Sequence, residues 1–315
     1  MRIIDEGAIR AVASLAQVRG AVRGALESLA RGAVVQPEVI GMELAEGAEV
    51  HVKGAFIHGC AHFTVKVVGG YPRRKLRGQS GSTGSVFVFD AVTGELSAVL
   101  QDNGLLTELR TAAVGAVAAD VLARHNVEVV GVIGTGGQAR YQIPALLEVR
   151  QPRRLVVYGR NRDATRLYAD EMARLYALEV QIAPNVEVVT RAADLLLTVT
   201  SARQPLVRSE WVRDGTHITA VGADMPGKQE LDPQLLGRAK LVVDRLQQAA
   251  TQGELQHALA AGLLRQEDVW AELGDILIGR RPGRTDDLEV TVADLTGVGV
   301  LDAAVAELVI DATGS

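Results

Sequence analysis

Apolar residues recur at Val12, Leu15, Val18, Val22, Ala25 and Leu29. Spacings of three and four place them on one helix face, so the pattern predicts a helix over Ala11–Leu29, ended by Gly32. Three runs with strand character follow: Glu49–Lys53, Phe63–Val68 and Ser85–Asp90. The imperfect alternation in Phe63–Val68 fits a well-buried strand. Thr93-Gly94 reads as a turn into Leu96–Leu100, which makes Val86–Leu100 a hairpin. The Ala-rich stretch Leu106–Ala123 reads as a helix.

The pattern changes at Asn126. Val127–Ile133 is a continuous apolar strand, followed by a Gly-rich turn and a helix. Further strands are expected at Leu155–Tyr158, Leu178–Ile182, Leu195–Thr200, His217–Val221, Leu241–Asp244 and Val290–Ala293. Helices are expected around Ala164–Leu175 and at Val300–Val309. Strands alternating with helices indicate an α/β fold with a parallel sheet covered on both faces. The boundaries drawn are 120–294 for this α/β domain and 1–119 plus 295–315 for the remainder.

A length of 315 residues suits two domains. Hydrophobic residues at 48% exclude a disordered chain. A net charge of −5 gives no reason to expect nucleic-acid binding. Cys60 is the single cysteine, so no internal disulfide is possible and nothing asks for an oxidising compartment. No apolar run has the length of a membrane span. Met1–Glu6 turns acidic at once and lacks a signal peptide's apolar stretch. The expectation is a cytoplasmic protein with no membrane partner.

Residues Gly131–Ala139 read Gly-Val-Ile-Gly-Thr-Gly-Gly-Gln-Ala, closing a strand and opening a helix. Gly134, Gly136 and Ala139 fit G-x-G-x-x-A. The first glycine permits the tight turn, the second lets backbone approach a pyrophosphate, and the small third residue lets helix and sheet pack closely. The helix N-terminus, with Gly137 and Gln138, offers free N–H groups to phosphates. A purely structural turn is the alternative, but strand, turn, helix and second strand arrive in the order a dinucleotide site needs. At the tip of the second strand, Gly159 and Arg160 stand where an NAD-binding chain carries an acidic residue. Arg160, Asn161 and Arg162 there favour NADP(H), with NAD(H) as the alternative.

Four segments make the chain resemble the ornithine cyclodeaminase/mu-crystallin family. They are Phe63–Val68, the Leu-Arg-Thr-Ala-Ala of residues 109–113, Val221–Leu231 with its Gly-Ala-Asp-Met-Pro-Gly-Lys, and Thr296–Asp302. The resemblance implies a Rossmann domain inserted in a discontinuous α+β substrate and dimerisation domain, and a homodimer. It implies NAD(P)-linked chemistry at the C–N bond of an amino or imino acid. The family's catalytic Lys maps to Lys66, its substrate-carboxylate Arg to Arg110 and its acid/base Asp to Asp224. Thr200, at the end of its strand, and Gly297, in the C-terminal segment on the nicotinamide side, are taken as further cofactor contacts.

The chemistry asks for these residue types independently. Oxidation of an amino acid needs a base for the amine proton, and Asp224 follows a Rossmann strand at its carboxyl end. Hydride transfer needs Cα held in place, which an Arg110–carboxylate clamp does. Lys66 can bind the same carboxylate or polarise the imine. The plain alternatives are an edge-strand charge at Lys66, a helix-surface Arg110 and a turn-forming Asp224. Many family members carry another Arg after a Gln-Pro, whereas Gln36-Pro37 is followed here by Glu38 and Val39. Lys53 can replace that charge, and its Val-Lys-Gly context resembles the ectoine-utilisation and iminosuccinate-reductase branch.

His51, His58, Cys60 and His62 match no zinc spacing, and hydride transfer needs no metal, so none is expected. The basic run Arg73–Arg77 reads as a solvated face, or alternatively as an attractor for an anionic substrate. The leading function is reversible NAD(P)-linked conversion between an L-amino acid and its imine or keto acid. The alternatives are a cyclodeaminase that recycles NAD internally and releases ammonia, and a non-catalytic mu-crystallin-like binder of a small ligand.

Overall fold

The apolar stripe near the start of the chain forms two helices rather than one. In the computed structural model, which describes residues 1–77 and 81–314, strand β1 (Arg2–Asp5) leads into α1 (Glu6–Val12), and α2 (Leu15–Ala30) follows. Ser14 breaks the expected helix. Its hydroxyl accepts from the Gln17 N–H, and Gln17 Oε1 accepts from the Ser14 N–H. This reciprocal cap satisfies amides that a new helix start leaves open. Val18, Val22, Ala25, Leu26 and Leu29 then form the buried face of α2.

The chain continues through β2 (Val34–Val35), β3 (Ile40–Glu43), β4 (Glu49–Ile57), β5 (His62–Gly70), α3 (Pro72–Leu76), β6 (Ser82–Asp90) and β7 (Leu96–Gln101). They build one sheet in the order β1-β7-β6-β5-β4-β2, with β3 also paired to β4. Only β1 runs parallel to its neighbour; the other pairs are antiparallel. Period-2 alternation divides the faces. Thr64, Lys66, Val86, Val88, Ala98 and Leu100 are buried on one side. Val65, Val67, Phe87, Phe89 and Val99 are only half-buried on the other.

Helix α4 (Leu105–Leu122) carries the chain into β8 (Val129–Ile133), α5 (Gly137–Leu147), β9 (Arg154–Tyr158), α6 (Arg162–Tyr176), β10 (Glu179–Ile182), α7 (Val186–Ala192) and β11 (Leu195–Thr198). Next come β12 (Arg203–Val207), β13 (His217–Ala220), β14 (Gln229–Leu231), α8 (Pro233–Arg238), β15 (Lys240–Val243), α9 (Leu246–Gln252), α10 (Leu255–Ala260), β16 (Ala271–Glu272), α11 (Leu273–Leu277) and β17 (Thr291–Asp294). The main sheet is parallel throughout, in the order β10-β9-β8-β11-β13-β17-β15-β16. Its two faces bury separate cores: Val130, Val132, Leu155 and Leu197 in one, Ile133, Leu196, Ile218 and Val292 in the other. After β10 the chain returns to pair β11 with β8. The strand order therefore reverses beside β8, the position where open α/β sheets bind ligands. A short second sheet pairs β12 with β14.

The last helix, α12 (Gly299–Thr313), returns to the first sheet and packs on α2, β4 and β5. A Cβ at Gly299 would lie 3.0 Å from the Gly54 carbonyl, so glycine here permits close approach of helix and strand. The chain thus forms two compact units, Met1–Arg110 with Val298–Ser315, and Thr111–Gly297. The junctions fall at 110/111 and 297/298, against the expected 119/120 and 294/295. The first lies inside α4, a continuous helix whose sequence marks no break.

Candidate active site

Within the first unit, Lys66 stands on β5 directly opposite Lys53 of β4, in a sheet whose inner face is closed by helices. β5 is an interior strand and Lys66 is 2% exposed, so the edge-strand reading of this lysine is excluded. Arg110, in the second turn of α4, is 5% exposed and not a helix-surface residue. Asp302 joins the two. Its Oδ1 accepts from Lys66 Nζ at 2.8 Å and from Arg110 Nε at 3.2 Å. Lys66 Nζ also donates to the Thr107 hydroxyl at 3.1 Å.

Three buried cations, Lys53, Lys66 and Arg110, therefore surround one buried carboxylate. Burial, reinforced by repulsion from Arg110 and Lys53, pulls Lys66 down to about 7, against the opposing pull of Asp302. Asp302 itself is held below the usual carboxylate range: attraction from Lys66, Arg110 and Lys53 outweighs its large desolvation cost. Sequence reasoning missed Asp302 as a site residue, although its segment was singled out. Its signal is a lone acid in Val300-Leu301-Asp302-Ala303-Ala304-Val305, a helix apolar on nearly every side.

Within the second unit, the Gly-rich turn joins β8 to α5. Gly134 has φ +103°, and a Cβ there would lie 2.8 Å from the Val199 carbonyl and 2.9 Å from the Thr200 methyl. The turn is thus pressed against the segment after β11. Gly136 is the N-cap of α5, with no side chain satisfying the helix amides. A Cβ there would meet nothing within 4 Å, so the space over this helix end is open. Gly137 begins the helix, and Ala139 is fully buried between helix and sheet. An open, uncapped helix N-terminus after a glycine turn fits the pyrophosphate of a dinucleotide. Arg140 braces the turn by donating to the Thr135 and Gly136 carbonyls at 3.1 and 2.9 Å. Gln138 accepts from Gln142 on the next turn of the helix.

Gly159 is hemmed in: a Cβ there would lie 2.5 Å from both the Thr135 and Thr165 hydroxyls. An acidic side chain has no room at this position. Arg160 and Arg162 are exposed, and neither makes an ion pair among the described residues. Asn161 spends its side-chain oxygen capping α6, through the Ala164 N–H at 3.0 Å.

Asp224 follows β13 and is half exposed, paired with Lys228 Nζ at 2.7 Å. Its loop is held by Glu230, a second residue the sequence did not reveal. Glu230 is fully buried and accepts from the Thr200 N–H at 2.6 Å and the Gly222 N–H at 2.9 Å. One carboxyl thus ties the loops after β11 and β13 together. Burial raises Glu230, and burial with neighbouring Glu230 and Asp294 raises Glu254 well above the ordinary range. Gly297 is buried and donates its N–H to Asp244 at 2.6 Å.

A family model of the ornithine cyclodeaminase/mu-crystallin family matches residues 4–315. The chain belongs to that family. Three solved structures are close to this member in fold and sequence. An archaeal alanine dehydrogenase dimer with bound NAD has a TM-score of 0.93 at 33% identity, covering 99% of this chain and 95% of that one. The Thermococcus litoralis Δ1-pyrroline-2-carboxylate reductase, in complex with NADH and L-proline, has a TM-score of 0.94 at 28% identity, covering 99% and 97%. The iminosuccinate reductase of Paracoccus denitrificans, in complex with NAD+, has a TM-score of 0.91 at 33% identity, covering 100% and 96%.

The remaining sequence clusters are dispersed. His62 pairs with Glu307 at 3.0 Å, and Cys60 is half-buried with its thiol pushed up by burial. Among the described residues, no group of three or more His, Cys, Asp or Glu is arranged to hold a metal. In the basic run Arg73–Arg77, Arg73 pairs with Glu46, while the side chain of Lys75 lies outside the described residues. Among the described residues, no helix is long and apolar enough to cross a membrane.

Proposed function

We propose that this family member is a nicotinamide-dinucleotide-dependent oxidoreductase that interconverts an L-amino acid and its imine or keto acid. The observation that carries the reading is the pairing of two buried cations, Lys66 and Arg110, on one oxygen of Asp302. Buried charge of one sign is costly unless a partner neutralises it. A substrate carboxylate is that partner. The relatives support the substrate class, since alanine, proline and iminosuccinate each combine a carboxylate with a C–N bond.

The Arg110 guanidinium and the Lys66 ammonium hold the carboxylate and so fix Cα. A nicotinamide bound there would supply hydride to that carbon or accept it. Asp224 holds or releases the proton of the reacting nitrogen, which must be neutral for oxidation and protonated for reduction. Gly134, Gly136 and the N-terminus of α5 carry the dinucleotide's phosphates, with Thr200 beside the turn. NADP(H) is the preferred cofactor, on the strength of Arg160 and Arg162 and of the space at Gly159 that admits no acid. NAD(H), the cofactor of the solved relatives, is the competing choice.

The functional form is a homodimer. The half-buried sheet face of Val65, Val67, Phe87, Phe89 and Val99 is apolar and needs a cover, and the archaeal relative is a dimer. Phe87→Asp on that face should yield a monomer by light scattering.

The test of function is a panel of keto acids with ammonia or methylamine, run with NADPH and NADH beside L-ornithine plus NAD+. Oxidation of the reduced cofactor in the first arm is the expected result. Ammonia release from ornithine without net cofactor change would identify a cyclodeaminase instead. Cofactor binding with no turnover in either arm would leave the mu-crystallin-like binder.

A further inference from the structure

We propose that Asp302 is a positioning residue of this site, whose Oδ1 aligns Lys66 and Arg110 and keeps Lys66 protonated for the incoming substrate carboxylate. The inference rests on reading Lys66 and Arg110 as the carboxylate site. Lys66 and Asp302 are each 2% exposed, so their 2.8 Å contact is shielded from solvent and salt. Asp302 Oδ2 is buried and accepts no hydrogen bond among the described residues. The hydrogen bonding of this carboxylate is therefore spent on the two cations.

The groups around Lys66 decide its protonation. Lys53 faces it from β4, Arg110 and Thr107 from α4, and Val86 from β6. Oδ2 of Asp102, just before α4, accepts from the Leu106 N–H, and burial raises this carboxyl above its ordinary value. Asp302 is the acid hydrogen-bonded to Lys66, and its attraction opposes the repulsion from Arg110 and Lys53. Without it, desolvation and repulsion are less opposed and the ammonium gives up its proton at lower pH. A buried ion pair is a poor device for stability alone, because apolar residues of similar volume do as well or better. Its use here is to hold a lysine in the charged form beside two other cations until an anion arrives. Gly299 and Gly54 bring α12 close enough to β4 for Asp302 to do this.

The experiment compares Asp302→Asn and Asp302→Glu with the parent in kcat/KM against pH for imine reduction, with Lys66→Met as a control. In the parent, activity falls as pH rises through about 7, where Lys66 loses its proton. In Asp302→Asn this limb moves at least about one unit to lower pH. That is roughly a tenfold loss near pH 8, with recovery to within about threefold of the parent near pH 5.5. Asp302→Glu keeps the limb in place. A uniform loss at every pH with an unmoved limb, or a parent-like profile, overturns the proposal. If Asp302→Asn does not fold, Asp302→Ser is judged by the same criteria. Titration of the Lys66 resonance in protein with isotope-labelled lysine provides a readout without turnover, and an unmoved Lys66 again overturns it. Parent-like turnover in Lys66→Met would sink the carboxylate-site reading itself, an outcome distinct from failure of Asp302 alone.

Discussion

Gly134 and Gly136 lie two residues apart in one turn, yet the structure gives them different reasons to be glycine. Gly136 sits at φ −84° and ψ −162°, an ordinary extended conformation. A side chain there meets no protein atom within 4 Å. Gly136→Val should therefore fold, at a cost within about 1 kcal/mol, mainly from a poorer N-cap residue. Its side chain would instead occupy the space over the end of α5 that a pyrophosphate needs. Losing one or two charge-assisted bonds to the helix amides costs about 1.5–3 kcal/mol, or roughly ten- to a hundred-fold in dissociation constant. Gly134→Ala behaves differently. It must hold φ +103° and place its methyl 2.8 Å from the Val199 carbonyl, for roughly 2–4 kcal/mol of lost stability. Calorimetric titration with NADPH and NADH, together with thermal unfolding, separates the two effects. Parent-like affinity in well-folded Gly136→Val would refute the dinucleotide reading of this turn. Equal destabilisation by both substitutions would refute the packing argument.

Asp224→Asn should lower kcat by about 10²–10⁴ while dinucleotide affinity, measured by titration, stays within about twofold of the parent, because the phosphates bind elsewhere. Arg160→Ala should raise the NADPH KM about tenfold while barely moving that for NADH, and added salt should narrow the parent's preference; equal kcat/KM for both cofactors in the parent at low salt would refute it. Burial pushes Asp294 up to about 7. Asp294 is thus more protonated in the folded than in the unfolded chain from roughly pH 4 to 7, and its contribution is lost as pH rises through that window. Asp294→Asn keeps an acceptor for the Leu255 N–H and should match the parent near pH 4 but exceed it by roughly 2–4 kcal/mol near pH 8. His217, pulled down to about 3 by burial, titrates with the opposite sign in both proteins and cancels from the difference; a pH-independent difference would refute the assignment.

What the sequence made legible was local or carried by a motif. The β8–turn–α5 unit announced itself through an apolar run and Gly134-x-Gly136, and the hairpin through Thr93-Gly94. The break at Ser14 was also written locally, as Ser-x-x-Gln, but the apolar stripe runs through it with little change of phase and hides it. The failures are non-local. β1 has only four residues and earns its place by pairing with β7, 96 residues away (Arg2 opposite Ala98). β17 enters between β13 and β15, which no periodicity reports. Glu230 looks like one more strand residue between Gln229 and Leu231 until folding brings it to Thr200 and Gly222. Lys66, Arg110 and Asp302 come from β5, α4 and α12, and only the closed fold shows that one carboxylate serves both cations.

Lys66 also carries a cost that bears on why it is there. Its amine falls from 10.5 to about 7 on folding. Between those values the unfolded chain binds more protons than the folded one, so stability rises with pH across roughly 7 to 10 and is penalised at neutrality. Lys53 and Arg110 deepen this penalty, and Asp302 offsets only part of it. A core built for stability alone would place an apolar residue on β5 beside Val86, Val88 and Leu100. Retaining Lys66 and Arg110 there, both on one oxygen of Asp302, is intelligible if a ligand carboxylate adds to their neutralisation. A bound carboxylate would add negative charge, strengthen the lysine's hold on its proton, and return stability as affinity. The cost that Lys66 brings to the fold and the preference for a carboxylate substrate would then share one cause, the crowding of cations around Asp302.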